Sequence, residues 1–286
     1  EVFANDSKKK IYMHWMYDVP MGEQLDDDGD SLESIEGCLT DAQYNRDEHR
    51  KAVIDDILDN WVSQSHNGKF HAILATSSIP EAIKYYKLFA QRDCGLKTTA
   101  VFDPSDGNNE SSIEKIDGIA QMLEDYNSLF GTCFNISGYA SFKRDVCARL
   151  AHKTPYTAVE NEPSKCLDIL IVVDQMLTGY DSKWLNTLYM DKFYKWSNIE
   201  MIIQAFSRTN RVFNDDKPHG IIRYYRRPYT MKNIIEYAFE QYSGQKPYGI
   251  FVAKLIQNLE NMNAAFSDIN DIFKIAGIPD FFKTSR

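Results

Sequence analysis

Residues 167–173, LDILIVV, place six branched apolar side chains in seven positions, and this run limits the fold more than any other stretch. A segment apolar on both of its alternating faces is a strand covered on both sides, which calls for a parallel sheet with helices packed over it. Shorter apolar runs lie at 70–75, 97–102, 187–190 and 221–225, and amphipathic stretches separate them. Over 41–63 the residues Ala52, Val53, Ile57, Leu58 and Trp61 recur at three and four positions, which predicts a helix. Thr76, Ser77 and Ser78 are cap candidates ahead of Pro80, a residue suited to the first turn of a helix reaching about residue 92. Further helices are expected at 112–130, 139–151 and 198–209, the first of them following the turn-rich DPSDGNN. Strands alternating with helices predict an α/β lobe with a doubly wound parallel sheet and a ligand site at the carboxyl ends of its strands. After Pro228 the pattern is wholly helical, through Ile234, Ile235, Ala238 and Phe239, then Phe251, Leu255, Ile256 and Leu259. The expected division is 1–40 as an extension, 41–228 as the α/β lobe and 229–286 as an all-α subdomain.

Charge is unevenly placed. The net charge is −9, yet residues 11–45 hold nine acidic side chains and not one Lys or Arg, so the remainder is neutral. That acidic stretch, with Glu23, Asp26, Asp27, Asp28, Asp30, Glu33 and Glu36, reads as a solvated linker; DDDGD lacks the spacing and closing Glu of a calcium loop. Residues 183–232 carry ten basic against four acidic side chains, a local excess that can meet phosphate in a globally acidic chain. The five cysteines never form C-x-x-C and the six histidines form no HExxH, so neither a disulfide framework nor a structural metal is expected, and a reducing compartment fits. No apolar run approaches the roughly 18 residues of a membrane span. The first ten residues do not read as a signal peptide, and a start without Met reads as a piece of a longer protein.

Two segments carry chemistry. In MIIQAFSRTNR, residues 201–211, a continuous helix would put Gln204, Arg208 and Arg211 on one face at i, i+4 and i+7. Two guanidiniums side by side suit an anion, and Arg presents a fixed fork of donors to phosphate; pairing with surface carboxylates is the alternative. In LTGYD, residues 177–181, a Thr-Gly pair past the best strand lets backbone N–H groups approach a phosphate or sugar, with Thr178 adding a hydroxyl and Asp181 an acceptor. An ordinary turn is the competing reading of that segment.

Taken together, LDILIVVDQMLTGYD, NTLYMDK and IIQAFSRTNR closely resemble motifs V and VI of superfamily 2 helicases, and in particular the motor (R) subunit of type I restriction endonucleases. The likeness is dense over 167–211 and extends across 69–227, where HAILATSSIPEAIKYY is similar to motif IV. It implies a RecA-like second motor lobe that closes on ATP and Mg²⁺ held mainly by a first lobe. Arg211 is then the arginine finger, Arg208 also faces the γ-phosphate, and Gln204 positions the attacking water or the finger. Gly179 and Asp181 lie toward the nucleotide and, with Thr178, couple it to DNA; Ser77 and Ser78 contact backbone phosphates. The implied partners are duplex DNA, the modification and specificity subunits, and a nuclease and first lobe elsewhere in the same chain, in the cytoplasm. ATP-driven translocation precedes cleavage in that scheme. Tyr180, Trp184 and Trp196 depart from the residues usual at those places.

The sequence lacks GxxxxGK[ST]: its one Gly-Lys, Gly68-Lys69, has Ser63 where the first glycine belongs and Phe70 after it, so this chain alone is expected to hydrolyse little ATP and cut no DNA. Asp47-Glu48-His49 follows polar residues and reads as helix surface, not as a buried metal motif. Asp168 with Asp181-Ser182-Lys183 could mimic a nuclease metal site, but Asp181 is better explained by motif V. Two rivals remain: another superfamily 2 helicase or remodeller lobe, and a non-catalytic module binding nucleic acid through Tyr224, Tyr225, Arg226, Arg227 and Tyr229. For those five, packing of a strand end against the following helix is the plainer alternative.

Overall fold

The strand register follows from burial. In the computed structural model, which describes residues 10–11, 13–26, 28–92, 94–102, 112–173, 180–211, 213, 215–242 and 255–275, five strands form one all-parallel sheet. They are β1 (His71–Thr76), β2 (Thr98–Val101), β3 (Ile169–Val172), β4 (Leu185–Asp191) and β5 (Ile221–Tyr224), in the order β2-β3-β1-β4-β5. β1, β3 and β4 are buried at every position, as central strands covered on both faces must be, whereas edge strand β5 is half-buried throughout. β1 lies between β3, with Ala72 opposite Ile169, and β4, with Ala72 opposite Thr187.

The helices fall close to where the periodicity places them, except that the first is broken and the one expected over 198–209 ends early, at Phe206. The helix expected from residue 41 is broken: a single turn, Asp41–Tyr44, ends at Asn45, and α1 (Asp47–Gln64) begins afresh. The break lets Tyr44 and Asn45 serve other elements, for the Tyr44 hydroxyl accepts from the Arg227 N–H at 3.1 Å and Asn45 Oδ1 accepts from Arg226 at 3.2 Å. α2 (Ile79–Gln91) starts as expected, with Ser78 as N-cap accepting from Glu81 N at 3.4 Å and proline in its first turn. α3 (Ser112–Phe130) and α4 (Tyr139–Leu150) come next, then α5 (Ile199–Phe206), α6 (Pro228–Tyr242) and α7 (Leu255–Ile275). The segment DPSDGNN lies outside the described residues. Contacts divide the chain into two compact units, residues 1–235 and 236–286.

The acidic stretch, expected as a solvated linker, is not solvated throughout. Asp26 keeps to an exposed turn, its Oδ1 accepting from the N–H groups of Asp28 and Asp30. Glu36 is buried and receives Tyr229 N at 3.1 Å and Thr230 N at 2.7 Å, so a carboxylate caps the open N–H groups of α6 and meets the positive end of its dipole. Arg227 ties the same segment down, donating to Leu39 O at 2.6 Å and pairing with Glu23 at 3.5 Å. Gly22 is needed at this seam, because a Cβ there would stand 2.5 Å from Thr230 N.

Candidate functional site

Two turns far apart in sequence meet beside the amino end of β1. Tyr180 is buried with its hydroxyl 3.1 Å from Nε2 of His71, the first residue of β1, and burial raises the Tyr180 pKa. Burial, reinforced by the charges of His152 and Lys217, pushes His71 well below the usual histidine range, so that imidazole is neutral. Onto this anchor come the arginines. Arg208 donates to Tyr180 O at 3.3 Å, and Arg211 Nε lies 2.9 Å from Asp181 Oδ1. The Arg211 and Asp181 side chains are 59% and 58% exposed, so water screens their pair and leaves the guanidinium open to a stronger anion.

The arginines do not share a helical face. α5 ends at Phe206, where Ser207 Oγ donates back to Gln204 O at 2.7 Å and Thr209 Oγ1 to Phe206 O at 3.1 Å. Backbone bonds from Arg208, Thr209 and Asn210 to the carbonyls three residues earlier tighten the chain into a turn. Arg208 therefore sits just past the helix and Arg211 beyond the turn, and the Tyr180–Asp181 pair, not helical spacing, gathers them. Gly220 closes the turn from the other side, since a Cβ there would stand 2.3 Å from Thr209 Cβ.

The other expected residues lie elsewhere. Ser77 and Ser78 come after β1 at its carboxyl end; six steps at ~3.3 Å each put about 20 Å of chain between His71 and Ser77. Ser77 and Ser78 thus lie at the carboxyl end of β1, where ligands of such sheets usually bind, and Arg208 and Arg211 lie toward its amino end. Gln204 is exposed on the last turn of α5. Thr178 and Gly179 lie outside the described residues. Trp184, unusual at its position, is a core piece: its ring stacks 3.9 Å from His152 and lies 4.6 Å from Phe213. Asp168, considered as a metal ligand, accepts Lys97 N at 2.8 Å and serves as a strand-end brace. Among the described residues no group of three His, Cys, Asp or Glu could hold a metal ion.

Sequence reasoning missed two elements. Lys217 is 1% exposed and donates to Arg211 O at 2.6 Å and Lys183 O at 3.2 Å; burial lowers its pKa to about 8. Asp191, the last residue of β4, is fully buried and receives Tyr85 OH at 2.9 Å and Arg226 Nε at 2.9 Å, with His49 Nε2 2.7 Å away. The Asp47-Glu48-His49 segment is helical as read, but His49 faces this cluster and not the solvent. No local pattern announces either element, because the partners are remote in sequence (for Asp191) or are backbone carbonyls that residue type does not mark (for Lys217). Arg226 and Arg227, grouped with three tyrosines as a nucleic-acid surface in the rival reading, make these internal pairs, and the Tyr225 hydroxyl donates to Asp56 at 2.7 Å.

Residues 68–227 match the family model described as type I restriction enzyme subunit R domain 3. The chain is 32% identical over 213 residues, 71% of its length, to the endonuclease subunit of a type I restriction enzyme of Staphylococcus saprophyticus, covering 22% of that protein. A corresponding subunit of Staphylococcus aureus is 31% identical over 200 residues, 67% of this chain and 20% of the relative. A putative one of Methanocaldococcus jannaschii is 30% identical over 125 residues, 43% of this chain and 11% of the relative. The chain thus spans about a fifth of the length of the two staphylococcal relatives.

Proposed function

Since the chain belongs to the type I restriction enzyme R subunit family, as its domain 3 region, we propose that residues 41–228 act as the second of two motor lobes, driving translocation along duplex DNA before cleavage. The observation that carries this reading is the exposed Arg211–Asp181 pair held beside Arg208 on the Tyr180 turn. Two guanidiniums on one edge, one of them tied among the described residues only by a screened ion pair, fit a triphosphate presented from a first lobe. Bound ATP with Mg²⁺ supplies the phosphoanhydride to be hydrolysed, and the metal is left to the first lobe. On this side Arg211 exchanges Asp181 for the γ-phosphate, Arg208 braces the turn and adds charge, and Gln204 orients the attacking water or the finger.

The released Asp181 carboxylate gives a way to report the nucleotide to Gly179 and Thr178, and through them to the DNA track. Ser77 and Ser78 face that track at the opposite end of β1, so nucleotide and DNA are read at two edges of one sheet. The test is DNA-stimulated ATP turnover by the intact subunit with its partners. Arg211→Ala is expected to lower turnover on the order of 10³-fold, the size of a lost arginine finger; turnover within about threefold of the parent, under 1 kcal/mol of barrier, would refute it.

A further inference from the structure

Arg211 stands beyond the end of its helix, so its backbone must be held by something other than helical hydrogen bonds. Past Arg211 the chain makes a tight return: Phe213 and Lys217 exchange N–H···O bonds of 3.0 and 3.1 Å, and Phe213 packs against Trp184 and Phe70, at 4.6 and 5.5 Å between ring centroids. The return carries the Lys217 ammonium inward, between Arg211 O at 2.6 Å and Lys183 O at 3.2 Å. Those two carbonyls belong to the two turns that form the site: Arg211 itself, and the residue two places after Asp181. No carboxylate pairs with Lys217 among the described residues, and its desolvation is visible in a pKa lowered to about 8. A buried ammonium costs stability unless it is well compensated. Two carbonyls compensate only in part, so the arrangement is better explained by what it fixes than by what it stabilises.

We propose that Lys217 is a positioning residue that clamps the Arg211 turn to the Lys183 turn, setting where the Arg211 guanidinium emerges. The inference rests on the motor-lobe reading and adds to it the group that sets the finger's backbone. It predicts a defect in turnover and not in nucleotide binding, because the clamp acts on a group whose interaction develops at the transferring phosphoryl.

The experiment is a double-mutant cycle on DNA-stimulated ATP hydrolysis by the intact subunit with its partners, comparing Lys217→Met, Arg211→Ala and both together. Lys217→Met keeps most of the stem and removes the ammonium that makes both hydrogen bonds. It is expected to lower kcat about 10- to 100-fold, the range for a reacting group displaced by about 1 Å. KM for ATP should stay within about twofold, and the substitution should cost nothing further in the Arg211→Ala background. Lys217→Gln keeps a donor on a shorter stem and is expected to lose less; it carries the same cycle if the methionine variant does not assemble. An unchanged kcat in Lys217→Met, or an equal loss with and without Arg211, overturns the clamp while a large Arg211→Ala effect leaves the lobe reading standing. A silent Arg211→Ala overturns the lobe reading and the clamp with it.

Discussion

Asp191→Ala should be among the most destabilising single changes in the α/β lobe. The carboxylate is fully buried and holds Arg226 in two bonds, 2.9 Å from Nε and 3.1 Å from Nη2, together with the Tyr85 hydroxyl and His49. Arg226 is itself buried, and without Asp191 its direct contacts among the described residues are Asn45 and the face of the Tyr44 ring, with Glu81 acting on its charge from farther off. Breaking a buried pair from one side costs about 3–5 kcal/mol, chiefly through the charge left behind. With a urea slope of about 3 kcal/mol per M, the unfolding midpoint should fall by more than about 1 M. Replacing both partners, as Asp191→Leu with Arg226→Met, removes the stranded charge and should restore at least half of the loss. Burial alone would raise the Asp191 pKa, but the bonds from His49 and Arg226 outweigh it and hold it below the usual carboxylate range. A depressed native pKa gives stability that is present above about pH 4 and lost as pH falls through the native value, so the difference between parent and variant should shrink in acid. A loss below about 1 kcal/mol at pH 7 would refute the reasoning.

Other changes probe separate parts of the structure. Glu36→Gln should cost about 1–2 kcal/mol in urea unfolding, since the cap on α6 loses its charge against the helix dipole; a change under about 0.3 kcal/mol would deny Glu36 that role. Gly220→Ala pushes a methyl into Thr209 and should destabilise by about 1–3 kcal/mol, whereas Gly29→Ala, in open space at φ +86°, should cost only about 1 kcal/mol. His71 is neutral when folded and titrates near pH 6.5 when unfolded, so the unfolded state binds more protons below that pH and stability should fall on acidification; His71→Gln should flatten that slope in urea titrations between pH 5 and 7. Lys217 acts in the same direction at higher pH: its native pKa of about 8 lies below the unfolded value, so its contribution to parent stability should rise between about pH 8 and 10.5, and Lys217→Met should remove that rise.

The sheet is legible in the sequence because burial on both faces leaves a local trace. Residues 167–173 and 70–75 read as strands for that reason, and Ser78 with Pro80 marks the start of α2. The start of β4 is hidden, since Asn186 is a polar residue whose side chain donates to Gln64 O far away in sequence. Periodicity overstates the length of α5 because Ser207 and Thr209 fit a helical window yet turn their hydroxyls back on the carbonyls behind them. Arg208, Arg211 and Asp181 can be singled out by residue type and resemblance. Their meeting place at the amino end of β1 cannot, because it depends on a buried Tyr180–His71 contact. Glu36 looks like any other acid of its stretch, and Lys217 like any surface lysine, since what distinguishes each is a remote partner.

Whether the Tyr180–Asp181 and Arg208–Arg211 turns make one nucleotide-facing surface can be decided by measuring ATP binding and DNA-stimulated ATP turnover together in the intact subunit carrying Arg208→Ala with Arg211→Ala. Turnover lowered on the order of 10³-fold or more, with binding retained, is the expected result. Turnover within about threefold of the parent would contradict it and leave both arginines as structural contacts of the Tyr180 turn.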